Sequence, residues 1–389
     1  MIKVITLLMI FFTYAFSVDF NTFLNRALTQ SPYLQLSLLL KEQAKEEKSQ
    51  ILRLTNPNLG IEGSKFNPSN GKSENGYAVS INQPVRLWGI ENDKRAFADA
   101  KINNTIASTS VVKANFIKEL SLLFTQYAKY KAFVNLSKEE EHIAKKILDI
   151  SSEKLKNGTI SKGKMLQAKI AYTMSTNNRI TLSLEEQKSY FKLLELSGVD
   201  NAIEIDTDHT FNLMEKKNRQ NPDILKLKSE EKIALTSAQL SSNVIETITV
   251  TGALENEPSE DIYKIGVSIP LPIFNTKKEE KSIAVLEAKK KSLLVKSKMK
   301  KLTLYEKYLK KERSLLTKLY DRHKSMISDK EQLLSMFKEA HEIANLDLVE
   351  LQNIKNLVLN AKKNFIDTKM KLNKNAIEQN YLQGAYNDQ

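Results

Sequence analysis

The spacing of apolar residues predicts two very long helices. Between Gly89 and Asn157 no proline or glycine interrupts the chain, and apolar residues recur in steps of four and three. This heptad spacing predicts a coiled-coil helix of roughly 70 residues, about 100 Å long. The segment 276–344 has the same character. The apolar stripes are Phe116, Leu120, Leu123, Tyr127, Tyr130, Val134, Ile143, Ile147 and Ile150 in the first, and Leu316, Leu319, His323, Met326, Leu333, Phe337, Ala340 and Ala344 in the second.

Four short segments alternate with a period of two, which is typical of β-strands. They are 58–66, 76–85, 245–254 and 262–269. Each is about nine or ten residues long, enough to cross a membrane when tilted. The same alternation also fits a soluble hairpin that packs on one side. The strands alone leave both possibilities open.

The elements occur in the same order twice, which indicates a duplicated half-protein. Pro84 and Pro272 stand 188 positions apart, as do Ala100 and Ala288. This period is far longer than the 20–50 residues of solenoid repeats. Each half is predicted to contain a helix, a strand pair, a very long helix, a tight turn and a returning helix. The predicted fold is therefore mainly α with a small β part, its repeats at 18–197 and 221–389 joined by a linker at 198–220.

Tight turns are predicted where each long helix reverses. The first consists of Asn157, Gly158, Thr159, Ile160 and Ser161, and the second of Ala344, Asn345, Leu346 and Asp347. Gly158 stands where a helix favours a left-handed residue, and Ser161 and Asp347 are suited to cap the next helix. By the same reasoning Ser31 is predicted to cap a helix that has Pro32 in its first turn.

Residues 1–17 have the features of a cleaved signal peptide. Lys3 supplies a positive charge, Val4–Phe16 is apolar, and Ala15-Phe16-Ser17 resembles a cleavage site. Thirteen apolar residues are fewer than the ~20 that a membrane-spanning helix needs, although an uncleaved anchor is the alternative. The sequence has no cysteine, so neither a lipid-modified N-terminal cysteine nor a disulfide is possible.

Charge and motifs argue against nucleic-acid binding and catalysis. The net charge is +13, but the lysines alternate with glutamates along the predicted helices, as on a solvated face. Neither a Ser/His/Asp pattern nor a phosphate-binding glycine loop occurs in the sequence. The four histidines, at positions 142, 209, 323 and 341, lack the spacing of metal ligands. We therefore expect no enzymatic activity, no cofactor and no metal site.

The strands and helices both require neighbouring copies if the strands lie in a membrane. Single-chain bacterial barrels have at least eight strands, because an open sheet edge is not tolerated in lipid. One chain supplies four, so several chains would have to close the barrel together. Long helices with apolar stripes also need neighbours to bury them.

Four segments resemble the TolC family of outer-membrane efflux proteins, two where a strand passes into a long helix and two at the turns. Val79–Lys101 resembles the family's passage from strand into long helix, and Val267–Phe274 resembles its counterpart in the second repeat. Gly158–Ser161, followed by Met165–Ala168, fits the family's turn pattern. The resemblance covers nearly the whole mature chain. Ala344 departs from it, because the family usually has glycine there.

The resemblance implies a homotrimer whose twelve strands form a barrel in the outer membrane of a Gram-negative bacterium. Its helices would form a tunnel in the periplasm. Such a protein is a passive duct that works with an inner-membrane pump and with a periplasmic adaptor, which docks at the two turns. The amino-acid sequence of Val267–Phe274 resembles the heavy-metal-efflux branch of this family more than its other branches. Asp321, Arg322 and Asp329 are candidates for a charged gate, the alternative being a solvated helix face.

Two other functions remain open at this point. The same fold serves as the exit duct of type I protein-secretion systems. A soluble periplasmic coiled-coil scaffold is the alternative from another class, and it requires no strands in a membrane.

Overall fold

The computed structural model describes residues 17–67, 69, 71–199, 203–215, 220–343 and 348–387. The predicted signal peptide, apart from Ser17, and the predicted turn at 344–347 lie outside these residues. The described chain contains seven helices and four strands. They are α1 (Phe20–Gln30), α2 (Pro32–Leu52), β1 (Asn58–Phe66), β2 (Glu74–Arg86), α3 (Ile90–Lys156), α4 (Lys162–Ser197), α5 (Pro222–Ser241), β3 (Thr247–Glu257), β4 (Glu260–Ser268), α6 (Lys278–Ile343) and α7 (Leu348–Leu382).

The mainly helical fold with a small β part is confirmed. The order of one helix, two strands, one very long helix and a returning helix occurs twice, from α2 to α4 and from α5 to α7. The two long helices, α3 and α6, have 67 and 66 residues. Among the described residues, no helix has both the length and the apolar character needed to cross a bilayer.

The chain is divided into two compact units, and each takes residues from both halves of the sequence. The helical unit comprises Met1–Gln35, Lys113–Arg219 and Thr303–Gln389, and the sheet unit comprises Leu36–Val112 and Gln220–Leu302. The division into two sequence repeats is a different one and stays a prediction.

The sheet unit is built on one antiparallel sheet with the strand order β1-β2-β3-β4. Asn58 pairs with Asn82, Tyr77 with Asn256, and Thr249 with Ser268. Ion pairs and hydrogen bonds join the helical segments of this unit. They are Lys48–Asp99 at 2.6 Å, Lys291–Glu230 at 2.8 Å, Lys298–Asp223 at 2.9 Å and Ser229–Asn104 at 2.9 Å.

In the helical unit the apolar stripe of α3 is largely buried, as its spacing predicted. A cluster near the end of α3 joins four helices and includes Ile143, Ile147, Ala168, Leu334 and Leu351. This cluster packs α3, α4, α6 and α7 against one another close to the turn that follows α3. The turn therefore projects from a well-packed part of the helical unit.

The predicted stripe of α6 is only partly buried within the chain. Leu319, Met326 and Leu333 are exposed, whereas the residues that pack inward are Leu309, Leu316 and Leu334, with Tyr320, His323 and Ile327 half-buried. Two apolar stripes with heptad spacing run along this helix, and only one of them faces the core of the unit. Periodicity cannot distinguish them, because both have the same spacing.

The N-cap predicted at Ser31 is only partly formed. The Ser31 carbonyl accepts the N–H groups of Leu34 and Gln35, as at a helix start. Its hydroxyl, however, is buried and has no hydrogen-bond partner. Ser31 also ends α1, donating its N–H to Ala27 O at 3.0 Å. One residue thus serves two helices, and its side chain is enclosed at their junction.

Residues 209–214 of the predicted linker have a defined place that the sequence did not reveal. Asn373 on α7 accepts the N–H of Phe211 at 3.2 Å and donates to His209 O at 3.4 Å. Seven residues later, Asn380 accepts the N–H of Met214 at 2.9 Å and donates to Asn212 O at 2.9 Å. Two asparagines one heptad apart therefore hold the segment 209–214 on α7.

Candidate functional site

The four strands place their apolar side chains on one face of the sheet, in register. Leu59 pairs with Ile81, which pairs with Gly252, and Gly252 pairs with Ile265. In the neighbouring row the paired residues are Ile61, Val79, Leu254 and Tyr263. Since paired residues in antiparallel strands share a face, the alternation predicted in each strand becomes one continuous apolar surface.

This apolar face is open rather than packed. Ile265 is 91% exposed and Tyr263 is 79% exposed. The opposite face is polar: Thr251 donates to the side-chain oxygen of Asn82 at 2.6 Å, and Lys264 pairs with Glu255. A contiguous exposed apolar surface marks a site of contact with a partner or with a membrane. A soluble hairpin that buries one face is therefore not what the sheet unit shows.

The sheet is also open at its edges. In the strand order, β1 and β4 each have a neighbouring strand on one side only. The outer sides of these two strands therefore present backbone groups that are available for pairing with a further strand.

The junction between strands and helices is tied by charged side chains. Arg86, at the end of β2, donates to Leu52 O at 3.0 Å and Ile51 O at 3.3 Å, and also to Arg53 O. Its guanidinium contacts the carboxylate of Glu91 at 2.5 Å. Arg86 thus satisfies carbonyl groups at the C-terminus of α2 that a helix end leaves without partners.

A second contact at this junction joins the start of α3 to the end of α5. The Asp93 carboxylate accepts hydrogen bonds from Gln239 at 2.7 Å and from Asn243 at 2.8 Å. Because α3 and α5 come from different halves of the sequence, this contact links the halves within the sheet unit.

The turn after α3 has the geometry that the sequence predicted. Gly158 is left-handed, with a φ of +71°. The N–H of Thr159 donates to Lys154 O at 2.9 Å, and that of Gly158 donates to Leu155 O at 3.0 Å, the paired bonds of a Schellman motif. The Ser161 hydroxyl accepts the N–H of Lys164 at 3.3 Å and caps α4. Asn157, Gly158, Thr159 and Ser161 are exposed, and Ile160 is half-buried.

A groove lies within the helical unit beside this end of α4. It has a volume of about 660 Å³ and is lined by polar residues such as Gln167 and Asn356 and by apolar residues such as Ile170 and Met174. Lys355 is buried at its base, 3.9 Å from the carboxylate of Glu140. Burial lowers the pKa of Lys355, against the opposing effect of Glu140.

The candidate gate residues are exposed on α6. Arg322 and Asp329 lie seven residues apart, in the same outward-facing row as Leu319, Met326 and Leu333, and Asp321 is adjacent. This placement leaves both interpretations open, a charged gate or a solvated face.

Glu331, close in sequence to the gate candidates, takes part in an ion-pair network that joins helices. Lys362 binds Glu139 at 2.9 Å and Glu331 at 2.9 Å. Burial disfavours the charge of Lys362, but these two carboxylates outweigh it and raise the pKa of the ammonium group. The network links α3, α6 and α7.

The histidines that the structure describes do not form a metal site. Groups of three or more side chains suited to hold a metal ion are absent from the described part of the chain. His209 instead contacts the rings of Phe20 and Phe211, at centroid distances of 4.9 and 4.7 Å. Burial lowers its pKa, against the opposing charges of Asp19 and Asp206.

An in-register sheet with one apolar face and two very long helices is the fold that this chain shares with solved outer-membrane channels. Solved structures with this fold align with nearly the whole chain. The Campylobacter jejuni CmeC outer membrane channel is 16% identical, with a TM-score of 0.77, and the match covers 94% of this chain and 85% of that one. The Vibrio cholerae outer membrane protein VceC is 12% identical, with a TM-score of 0.78, and coverage is 94% and 95%.

The structure of CusC, described by its transmembrane channel formation, is similar to the same degree, with 13% identity, a TM-score of 0.78 and coverage of 93% and 91%. No protein-family model matches the sequence. No curated protein matches it either. The TolC-like fold expected from the sequence is thus confirmed by structure. At these sequence identities, the similarity establishes the fold alone.

Proposed function

We propose that this protein is the outer-membrane channel of a tripartite efflux system. The observation that carries the proposal is the sheet, whose apolar face is aligned across four strands and exposed. Lipid is the medium that stabilises such a face, and the polar face then lines an aqueous lumen, as in outer-membrane barrels. The solved structures that share the fold are described as outer-membrane channels, which supports this assignment.

A membrane location requires that neighbouring copies close the sheet. Open edges are not tolerated in lipid, and one chain contributes four strands. The resemblance to the TolC family favours three copies and therefore twelve strands. Passage through such a barrel would be passive, with transport energy supplied by an inner-membrane pump.

The helical unit supports assembly independently. An exposed apolar stripe on α4 includes Leu166, Ile170, Leu184 and Phe191, and α6 carries the exposed Leu319, Met326 and Leu333. Two different surfaces on one chain favour head-to-tail contacts, which generate a closed ring when the rotation between copies closes. This is the symmetry that a trimeric tunnel needs.

The exposed turn Asn157–Ser161 is the proposed contact for a periplasmic adaptor, together with 344–347. Asp321, Arg322 and Asp329 are the proposed gate at the tunnel end of α6. Export to the outer membrane of a Gram-negative bacterium would use residues 1–17 as a signal. Efflux is the proposed function, and protein secretion through the same fold is the alternative.

Membrane fractionation with heat-modifiable gel mobility tests the assembly. We expect an outer-membrane band of trimer size that becomes one chain on boiling, and ion conductance after reconstitution into planar bilayers. A monomer in the periplasmic extract would refute the channel. For the adaptor contact, deletion of 157–161 should abolish export while the trimer band persists, and Lys162→Ala, next to the turn, should export normally.

A further inference from the structure

Strand β4 ends earlier than its counterpart in the first half of the chain. Ser268 is its last residue, and the corresponding position in β2, 188 residues earlier, is Ser80. Strand β2 continues for six more residues to Arg86. These six residues are extended where β3 lies beside them, with Ile81 opposite Gly252 and Arg86 opposite Thr247.

The segment Ile269–Phe274, which corresponds to the end of β2, is exposed and apolar. Phe274 is 99% exposed, and Ile269, Leu271 and Ile273 are exposed as well. The N–H of Ile273 donates to Leu271 O at 2.9 Å, a local bond two residues back. In the single chain this segment thus turns on itself, whereas its counterpart belongs to a sheet.

The direction of the backbone groups in β2 shows how such a segment pairs. The N–H of Leu87 donates to Glu246 O at 3.1 Å, in the β2–β3 register. Backbone N–H and C=O groups alternate in direction along a strand. In β2, the backbone groups of odd-numbered residues therefore point to β3, and those of even-numbered residues point to β1. Pro84 faces β1 beyond Asn82, the last β2 residue that β1 pairs with. Its missing N–H therefore breaks no ladder bond.

By the same alternation, Pro270 and Pro272 prevent β4 from pairing further with β3 but not with a strand on its other side. In β3, even-numbered residues are paired with the odd-numbered residues of β2 and direct their backbone groups to it, so Thr249 directs its groups to β4. Ser268 is paired with Thr249, and even-numbered residues of β4 therefore direct their backbone groups to β3. Pro270 and Pro272 follow in that row and have no N–H to offer β3, which ends the ladder at Ser268. The N–H groups of Ile269, Leu271 and Ile273 face the other side, the open edge of the sheet.

The open edge of β1 has the matching arrangement. Its even-numbered residues face β2, with Asn58 opposite Asn82, so the backbone groups of Leu59, Ile61 and Gly63 face outward. Two edges of one chain thus each present odd-numbered residues with apolar side chains on the same face.

We propose that Ile269–Phe274 extends β4 by pairing with β1 of a neighbouring copy, in the register that β2 uses with β3. This inference rests on the proposed channel and specifies its subunit joint. Ser64 is the counterpart of Ala253, because Ser64 pairs with Gly76 and Ala253 pairs with Lys264, 188 residues after Gly76. Ser80 opposite Ala253 is therefore the intrachain template for Ser268 opposite Ser64 of the neighbouring copy. Leu271 then lies opposite Ile61 of that copy, and Ile273 opposite Leu59. The apolar face continues across the joint, and the outer edge of β1 is covered along its whole length, from 58 to 66.

The absence of cysteine from the sequence makes disulfide cross-linking a direct test. In the proposed register, positions 64 and 268 form a pair that is not hydrogen-bonded, with Cα atoms about 4.5 Å apart, inside the range for a disulfide. Oxidation of the double variant Ser64→Cys, Ser268→Cys should give a three-chain band that resists boiling and disappears on reduction. The control Glu62→Cys with Ser268→Cys is shifted by two residues, about 7 Å, and should cross-link at least tenfold less.

The outcomes separate this inference from the proposed function. A heat-sensitive trimer that cross-links through the Glu62 variant, or through neither, would overturn the register and leave the channel standing. A disulfide within one chain would overturn the subunit joint. Absence of any trimer would overturn both proposals.

A backbone test needs no cysteine. Leu271→Pro removes an N–H that faces the neighbour and should lower the temperature at which the trimer dissociates on a gel. Pro272→Ala restores an N–H on the opposite side and should leave that temperature unchanged. Equal behaviour of the two variants would contradict the proposed direction of pairing.

Discussion

Replacement of Arg86 should destabilise the sheet unit far more than loss of a typical surface charge. Its side chain is 10% exposed, and its guanidinium contacts three carbonyl oxygens at the end of α2 and the Glu91 carboxylate. The planar group reaches several acceptors at once, which a lysine ammonium cannot do. Arg86→Met retains most of the side-chain volume and removes all four contacts.

The magnitude follows from what water can replace. Hydrogen bonds to charged groups contribute about 1.5–3 kcal/mol each, but Arg53 is exposed and Ile51 and Leu52 are half-buried, so water can satisfy part of the loss. We expect a decrease in the free energy of unfolding of about 3 kcal/mol for Arg86→Met. Arg86→Lys, which retains the charge but not the fork, should lose about half as much.

The control is Arg95→Met, because Arg95 contacts the same carboxylate, Glu91, at 3.4 Å from an exposed position. Exposed pairs of this spacing contribute about 0.3–0.5 kcal/mol. The assay is guanidinium unfolding of the detergent-solubilised protein followed by circular dichroism, with the midpoint shift multiplied by the slope. If Arg86→Met were no more destabilising than Arg95→Met, the role of Arg86 as a helix cap would be refuted.

Three further predictions concern the helical unit. Gly158→Ala should cost about 1 kcal/mol because φ is +71° and space is open around the new Cβ, whereas Gly198→Ala should cost at least twice that, because its Cβ would lie 2.8 Å from Cδ of Pro32; equal losses in thermal unfolding would contradict the close approach. Asn373→Leu should cost about 2 kcal/mol by leaving the buried N–H of Phe211 without its acceptor, with faster hydrogen exchange at Phe211, while the exposed Asn360→Leu should change neither. Glu141 accepts hydrogen bonds from Thr176 at 2.8 Å and Arg179 at 2.6 Å, which lower its pKa below the usual 4.5; this contribution is present above pH 4.5 and is lost as the pH falls through the lowered pKa, so the stability difference between wild type and Glu141→Gln should shrink in acid, and a difference independent of pH would contradict it.

Much of the fold could be predicted from sequence because it depends on near neighbours in the chain. The period of apolar residues distinguishes the long helices from the strands, since side-chain direction repeats every 3.6 or 2 residues. The turn at Gly158 was predictable for the same reason, because a left-handed helix end favours glycine. Gly158 and Ser161 have the roles expected of them.

Tertiary structure alone decided which surfaces meet. Both apolar stripes of α6 have heptad spacing, and only the positions of α3, α4 and α7 determine that Leu316 packs while Leu319 remains exposed. Asn373 looks like an ordinary polar residue of a helix, although it holds a segment more than 160 residues away. Arg86 likewise shows no sign in the sequence that it will cap α2. Periodicity specifies which residues share a face, but the partner of that face is set by packing between segments that are distant in the chain.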